Sequence, residues 1–441
     1  MHSSESPSPL LLSLSRNPKD ILWFIAILNV LAVITGSLVA LFLWSLDLIT
    51  RLHWSYPWLL FFLPFAGCLS YLMYHCVSRE SDAGNRLIFD RVRNPSEQPK
   101  IPIALAPLVL IGTLITHLCG GSAGREGTAV QMGGSIASWL LRFIKTDDTW
   151  QQTLILCGIS AGFGAVFGTP VAGAVFAIEA LWLGRTGLFR IVPCIIAAFI
   201  AHNVTIWWGI EHSVFSLPSL SELTHDTANP SKVATVSVMS LGRVTKVALA
   251  AIAFGLISML FTITTHNVSR FYKRWVTRAW IRPVVGGCVF IAFTIALSTR
   301  DYSGIGVDPN PNHFRTVCIA SSFGLDGVDQ LSWLWKLLAT SITVGSGFKG
   351  GEVTPLFFIG ATAGNILGDW FNFPIDLMAA IGFVAVFAGA TKAPVACTLM
   401  AIELFLPTNP AFISSGFIIY IAIGCFMARF ASGKSSIYRT T

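Results

Sequence analysis

Residues 168–183 read GTPVAGAVFAIEALWL, and residues 391–406 read TKAPVACTLMAIELFL. Aligning Pro170 with Pro394 pairs Val171 with Val395 and Ala172 with Ala396. It then pairs Ala177, Ile178 and Glu179 with Ala401, Ile402 and Glu403, without a gap. The shared pattern is P-V-A-x(4)-A-I-E, at an offset of 224 (394 minus 170). A second match lies upstream of each copy. GREGTAVQMGG (124–134) aligns with GGEVTPLFFIG (350–360), pairing Glu126 with Glu352, Thr128 with Thr354 and Gly134 with Gly360 at an offset of 226 (352 minus 126). One match between apolar segments carries little weight, because their composition is monotonous. Two in the same order at nearly one offset indicate an internal duplication. Secondary transporters are often built from two such halves that meet at a site near the bilayer midplane. The sequence leaves open whether the halves are parallel or inverted.

The composition says where such a chain resides. Of 441 residues, 54% are hydrophobic and 12% charged, about half the charge of an ordinary soluble domain. Apolar runs at Ile21–Thr50, Tyr56–Tyr74, Pro102–Cys119, Arg190–Gly209, Val247–Ile263 and Phe412–Ala428 are near or above a membrane-spanning length. Val284–Leu297 and Leu377–Ala390 are shorter, suited to re-entrant or buried pieces. The reading is an all-α polytopic membrane protein. Its first twenty residues lack the pattern of a signal peptide, so they read as a cytoplasmic tail with Ile21 opening the first span.

Basic residues gather in two loops. Residues 76–100 hold Arg79, Arg86, Arg91, Arg93 and Lys100; SRFYKRWVTRAWIR (269–282) holds Arg270, Lys273, Arg274, Arg278 and Arg282. Both are expected on the cytoplasmic side, with the Ser/Thr-rich stretch 211–240 outside. Flanking spans exclude nucleic acid as their partner. The nine cysteines sit mostly in apolar runs with no CxxC pattern and no Cys/His cluster, so they read as small buried apolar residues, with no metal or cofactor called for.

Each repeat opens with a glycine-rich interruption before an apolar helix: GGSAGREGT before a helix from about Ala129, and GSGFKGGEVTP before one from about Pro355. Glycines let bare N–H groups crowd together, and the first N–H groups of a helix lack internal partners and carry its positive end. Unwound backbone at membrane depth belongs where protein or a watery cavity surrounds it. Helix N-termini converging on such a cavity suit a small anion. Two alternatives stand beside this. Glu126 and Glu352 also suit carboxylates that stabilise their own helix N-termini, and Glu179 and Glu403 suit hydrogen-bonded helix ends. Arg125 fits a loop anchor or ion-pair partner, since a bare arginine would hold an anion too tightly. His117 and His202, in apolar runs, fit core histidines rather than proton relays.

GREGT (124–128) followed by VQMGG resembles the CLC family of chloride channels and proton-coupled anion antiporters. GTPVAGAVFAIE and KAPVACTLMAIE resemble that family's two repeated helix pairs, and GKSSIY (433–438) its segment with the pore tyrosine. The resemblance spans essentially the whole chain. It implies a tail at 1–20, a transport domain at about 21–430 in two halves (about 21–210 and 242–430) of inverted topology, a closing segment at 431–441, and a homodimer. No nucleotide-binding tandem domain of the kind many eukaryotic members carry is expected, and no Walker motif offers ATP as an energy source.

Three departures from the chloride-carrying members stand out. GNRLI (84–88) puts Asn85 where their G-S-G-I-P loop has serine. GEVTP (351–355) puts Val353 where G-x-F-x-P has phenylalanine, with Glu352 before it. Ala180 follows Glu179 where many chloride antiporters have a second, internal glutamate. All three resemble the fluoride-exporting clade, in which proton antiport persists without that glutamate. The resemblance then implies Glu126 as gating and proton-transfer glutamate: ionised, it fills an anion site and blocks the path; protonated, it swings away. It implies anion contacts from Asn85, Gly124, Arg125, Gly127, Glu352, Val353, Thr354 and Tyr438. Asn85 would offer amide donors, Tyr438 a hydroxyl, and Glu352, when protonated, an acid O–H. Fluoride gives up its water only to strong, close donors. The expected activity is fluoride export by proton antiport across a bacterial cytoplasmic membrane, with a chloride channel or chloride/proton exchanger as the alternative. An intramembrane enzyme with Glu126 and Glu352 as acid and base lacks a metal constellation, a nucleophile elbow or a Cys/His pair. A scaffold would have no use for carboxylates in glycine loops.

Overall fold

In the computed structural model of the chain, residues 18–94, 99–143, 147–181, 189–220, 240–307, 317–325, 327–408 and 416–438 are described. Among them the secondary structure is helical, apart from isolated bridge residues that include the antiparallel pair Gly124 and Gly351. The first half comprises α1 (Pro18–Ser55), α2 (Leu63–Val77), α3 (Asn85–Arg93), α4 (Leu105–Leu118), α5 (Glu126–Leu140), α6 (Asp148–Phe167), α7 (Pro170–Glu179) and α8 (Ile191–Trp207). The second comprises α9 (Leu241–Trp275), α10 (Ile281–Leu297), α11 (Ser332–Gly345), α12 (Val353–Trp370), α13 (Ile375–Thr391), α14 (Pro394–Phe405) and α15 (Phe417–Ala431). Most of the expected tail (1–17), part of the polar stretch (221–239), residues 412–415 of the last apolar run and residues 439–441 lie outside the described residues.

Four segments are long and apolar enough to cross a membrane: most of α1, Pro57–Val77, α6 and α9. Other apolar helices run only 10–17 residues, short of the roughly 20 that a full crossing needs. The run at 377–390 is indeed a buried piece, inside α13. That at 284–297 is not, for α10 leaves Val289 and Ile295 exposed. The α6 span is absent from the apolar runs read in the sequence, because glycines and a polar first turn dilute it.

α7 and α14 settle how the halves are related. Glu179, the last residue of α7, accepts from Val395 N (3.1 Å) and Ala396 N (2.7 Å) at the start of α14. Glu403, near the end of α14, accepts from Val171 N (2.9 Å) and Ala172 N (2.8 Å) at the start of α7. Each carboxylate satisfies two N–H groups without helical partners and faces the positive end of the other helix's dipole. The two helices therefore run antiparallel, and the halves are inverted. Two further pairs obey the same pseudo-two-fold: Gly124 and Gly351 exchange N–H···O bonds of 2.6 Å in both directions, and Phe163 stacks over Phe387 at 6.5 Å and 14°.

This symmetry corrects the register of the first repeat. α5 and α12 start at Glu126 and Val353, earlier than Ala129 and Pro355. Their preceding residues, Arg125 and Glu352, have φ, ψ of −111°, −18° and −109°, −10°. The offset there is 227 (353 minus 126), so Glu126 corresponds to Val353 and Arg125 to Glu352. The glycines agree: a Cβ on Gly133 would stand 1.9 Å from Gly158 O, and one on Gly360 2.1 Å from Gly382 O. Backbone contact, rather than side-chain identity, is what the two copies share. The second repeat keeps its offset of 224. Gly168 and Lys392 both end their helices in the left-handed region, at φ 75° and 67°. Lys392 bears the steric cost while its Nζ donates to Ser432 O at 3.2 Å.

Packing also places the basic loops. Gly67 of α2 faces Pro283 of α10, and Gly287 faces Pro64. As numbering rises along one helix it falls along the other, so segments 78–94 and 276–280 emerge on the same side, as the charge distribution requires. Of the nine cysteines, Cys76 and Cys288 are exposed and Cys68 is half-buried; the others are buried as expected.

Candidate anion and proton site

Glu126 is fully buried on the seam between the two glycine-rich loops. Its Oε2 accepts from Arg125 N and Thr354 N, both at 3.1 Å. Its Oε1 accepts from the Thr354 hydroxyl, and Arg125 Nε lies 3.9 Å away. The donors come from the N-termini of both inverted helices, α5 and α12. Gly124 and Gly351 make room for the carboxylate, since a Cβ on either would lie 2.6 Å and 3.1 Å from Oε2. Donors aimed at a carboxylate oxygen from two helix starts suit a negative charge, and here the chain's own carboxylate takes that place.

Beside the seam opens a cavity of about 480 Å³. Asn85, Gly127, Glu352, Val353 and Tyr438 line it, together with Phe89, Arg86 and Arg93 of α3. α3 starts abruptly because Gly84 adopts φ 55°, ψ −128°, a conformation reserved for glycine. That turn presents Asn85 at the first helical position. Its amide nitrogen lies against Gly127, where a Cβ would stand 3.2 Å away. Its Oδ1 is buried with no hydrogen-bond partner among the described residues. Tyr438 is held edge-on by Phe89 at 4.9 Å and by Phe176 at 6.1 Å.

The sequence pattern of the voltage-gated chloride channel family matches residues 65–433, most of the chain. It is a CLC protein. A chloride/fluoride channel protein of Pseudomonas syringae is 39% identical over 415 residues, covering 94% of this chain and 85% of that relative. An H+/Cl− exchange transporter of Vibrio cholerae is 24% identical over 416 residues, covering 89% and 83%. Among solved structures, a CLC-type fluoride/proton antiporter superposes with TM-score 0.83 at 31% identity, covering 96% of this chain and 98% of that one. A slow cyanobacterial Cl−/H+ antiporter gives 0.73 at 19%, covering 94% and 96%, a likeness of fold. The family's multi-pass membrane fold thus applies to this chain.

Of the residues singled out in the sequence, this CLC chain brings Asn85, Gly127, Glu352, Val353 and Tyr438 to the cavity, and holds Glu126, Gly124, Arg125 and Thr354 at the seam behind it. Arg125 serves the loop: it precedes α5 and pairs loosely with Glu126, its buried Nε lacking a hydrogen-bond partner. Phe89 went unread and Arg93 was read only as part of a basic loop, although their i, i+4, i+8 spacing from Asn85 marks one face of a helix. Buried Lys336 was also unread. Its Nζ donates to Gly304 O (2.8 Å) and Tyr302 O (3.1 Å), and Gly304 N bonds Gly120 O at 3.1 Å, which fastens the first glycine loop from behind. His117 fastens the same loop, with ring nitrogens 2.8 Å from Thr113 O and 3.1 Å from Ala123 O. It is a core histidine held by main-chain carbonyls, and as a neutral ring with one N–H it donates to only one of them. His202 differs: its Nδ1 is buried without a hydrogen-bond partner among the described residues, and its ring lies 5.3 Å from His212.

Proposed function

We propose that this protein exports fluoride across a bacterial cytoplasmic membrane in exchange for protons, with Glu126 as gate and proton carrier. The observation that carries the reading is the Glu126 carboxylate itself, fully buried and bound by donors from both halves. In its ionised form it occupies the place an anion would take. On protonation it loses the charge those donors hold, leaves the seam, and frees Thr354 and the backbone N–H of Arg125 for the anion. Like charges repel, so an anion at the seam and a proton on Glu126 favour each other's presence, and this links the two fluxes. Asn85 turns its amide donors toward the ion, Tyr438 offers its hydroxyl, and Glu352 donates when protonated. Gly124, Gly127 and Val353 shape the walls. Small, hard donors packed this closely suit a small anion better than a large one. The likeness to a fluoride/proton antiporter supports the same reading.

The protein is proposed to act as a homodimer through α8, α14 and α15, whose outer residues Val192, Ile196, Phe199, Val395, Ile419 and Phe426 are exposed and apolar. A second reading, an uncoupled fluoride or chloride channel, is favoured by the name of the Pseudomonas relative. Reconstitution in liposomes separates the two. Fluoride and chloride electrodes would record efflux while a pH dye records proton uptake, with Glu126→Gln alongside. Fluoride efflux driving proton uptake, with chloride slow, fits the antiporter. Fluoride efflux with no proton movement leaves the channel, and equal chloride efflux removes the fluoride preference.

A further inference from the structure

One wall of the cavity is α3, and it carries a line of side chains. Asn85, Phe89 and Arg93, spaced i, i+4, i+8, all line the cavity. Arg93 therefore stands about 12 Å along the helix from Asn85, at 1.5 Å per residue. Three other charged groups face the same space: Arg86, Asp90 and Glu352. Asp90 is shared between two arginines, 3.4 Å from Arg86 Nε and 3.9 Å from Arg93 Nη1. Arg93 Nη2 is buried and has no hydrogen-bond partner among the described residues. Its side chain remains one-third exposed, at 33%, so the head group borders both protein and solvent. The segment that carries it is the basic loop on the cytoplasmic side.

We propose that Arg93 is an outer binding site for the transported anion, a loading position at the cytoplasmic mouth that Asn85, Tyr438 and the seam do not include. The proposal rests on the transport reading above and adds to it where the ion first binds. The exposed part of the Arg93 side chain borders the cavity, and Asp90, 3.9 Å from Nη1 and also drawn toward Arg86, pairs with it only loosely. The guanidinium is always charged and weakly hydrated, so it attracts a hydrated anion without stripping it. A unit charge at contact distance in a wet site raises the local anion concentration about fivefold. Phe89 and Tyr438 then separate this loading position from the inner donors. A rival role is structural, since a cation in the last turn of α3 also complements the helix dipole.

The test is the initial rate of anion efflux from liposomes against internal fluoride concentration, for wild type, Arg93→Gln and Arg93→Lys, at low and high ionic strength set with an impermeant anion. Loading by Arg93 predicts that Arg93→Gln raises the half-saturating fluoride roughly three- to tenfold at low ionic strength. The maximal rate changes much less. The rise shrinks in high salt, where the Debye length falls to about 3 Å at 1 M. Arg93→Lys recovers most of the loss. An unchanged half-saturation in Arg93→Gln overturns the proposal. So does a fall in rate at every concentration that Arg93→Lys does not recover and that tracks a lowered melting temperature. A wild type that carries chloride in place of fluoride overturns only the fluoride preference, and the same series with chloride still tests Arg93. A wild type that carries neither ion removes the transport reading, and the loading site with it.

Discussion

Arg125 and Glu352 hold equivalent places in the two inverted halves, with backbone angles that agree within 10°. One is a cation and the other an acid. One residue on, Glu126 corresponds to Val353. The duplicated scaffold thus delivers helix starts twice, in mirrored positions, while the side chains divide the labour. The first loop places a carboxylate on the seam; the second places one in the cavity and supplies the Thr354 hydroxyl. A fully symmetric site would set two carboxylates against one set of donors, and their repulsion would leave neither well held. Asymmetry is what leaves one carboxylate on the seam, as the gate proposed for Glu126 requires.

The largest test of this contrast is Glu126→Gln against Val353→Glu. Glu126→Gln should cut proton flux roughly 100-fold, read with a pH dye, while fluoride continues to move. Val353→Glu restores symmetry and should slow both ions by setting a second carboxylate beside Glu126. Next come the paired glycines. Gly133→Ala and Gly360→Ala put a methyl against a backbone oxygen in each half. Each should cost about 3 kcal/mol or more, seen as loss of a monodisperse peak on size exclusion. Equal severity would confirm that the packing, unlike the chemistry, is symmetric. Thr354→Val removes a side-chain donor to a charged group, worth about 1.5–3 kcal/mol. The loosened gate should pass more fluoride per proton. Smallest is the crossed pair: Glu179→Ala and Glu403→Ala each strand two helix N–H groups and should each destabilise by about 1–2 kcal/mol. A marked difference between them in thermal unfolding would show that the pseudo-symmetry is only geometric.

The duplication was legible because its marks sit at helix ends, where P-V-A and A-I-E serve a fixed geometric purpose. Membrane residence was legible from bulk composition, and Glu126 from its cost in an apolar setting. Register was not. Aligning one glutamate with another gave an offset of 226, whereas the backbone requires 227; the shared feature was a bridge and a helix start, which no letter encodes. The α3 wall was missed for a related reason. RLIFDRVR reads as a basic loop by charge, and its helical face emerges only once Gly84 turns Asn85 into a first helical position. Lys336 was hidden in the same way, because its partners are main-chain carbonyls.

The crossed carboxylates of α7 and α14 bear on the kind of machine this is. Four charge-assisted hydrogen bonds, with a main-chain bridge between the glycine loops, stitch the halves together on both sides of their shared axis. Parting them would break all of these at once. A device fastened this way has no hinge to swing on. With the gate proposed for Glu126, turnover would be set by the rotation of a few bonds in one side chain, and its temperature dependence should be that of a rotamer change, shallow and insensitive to bilayer stiffness.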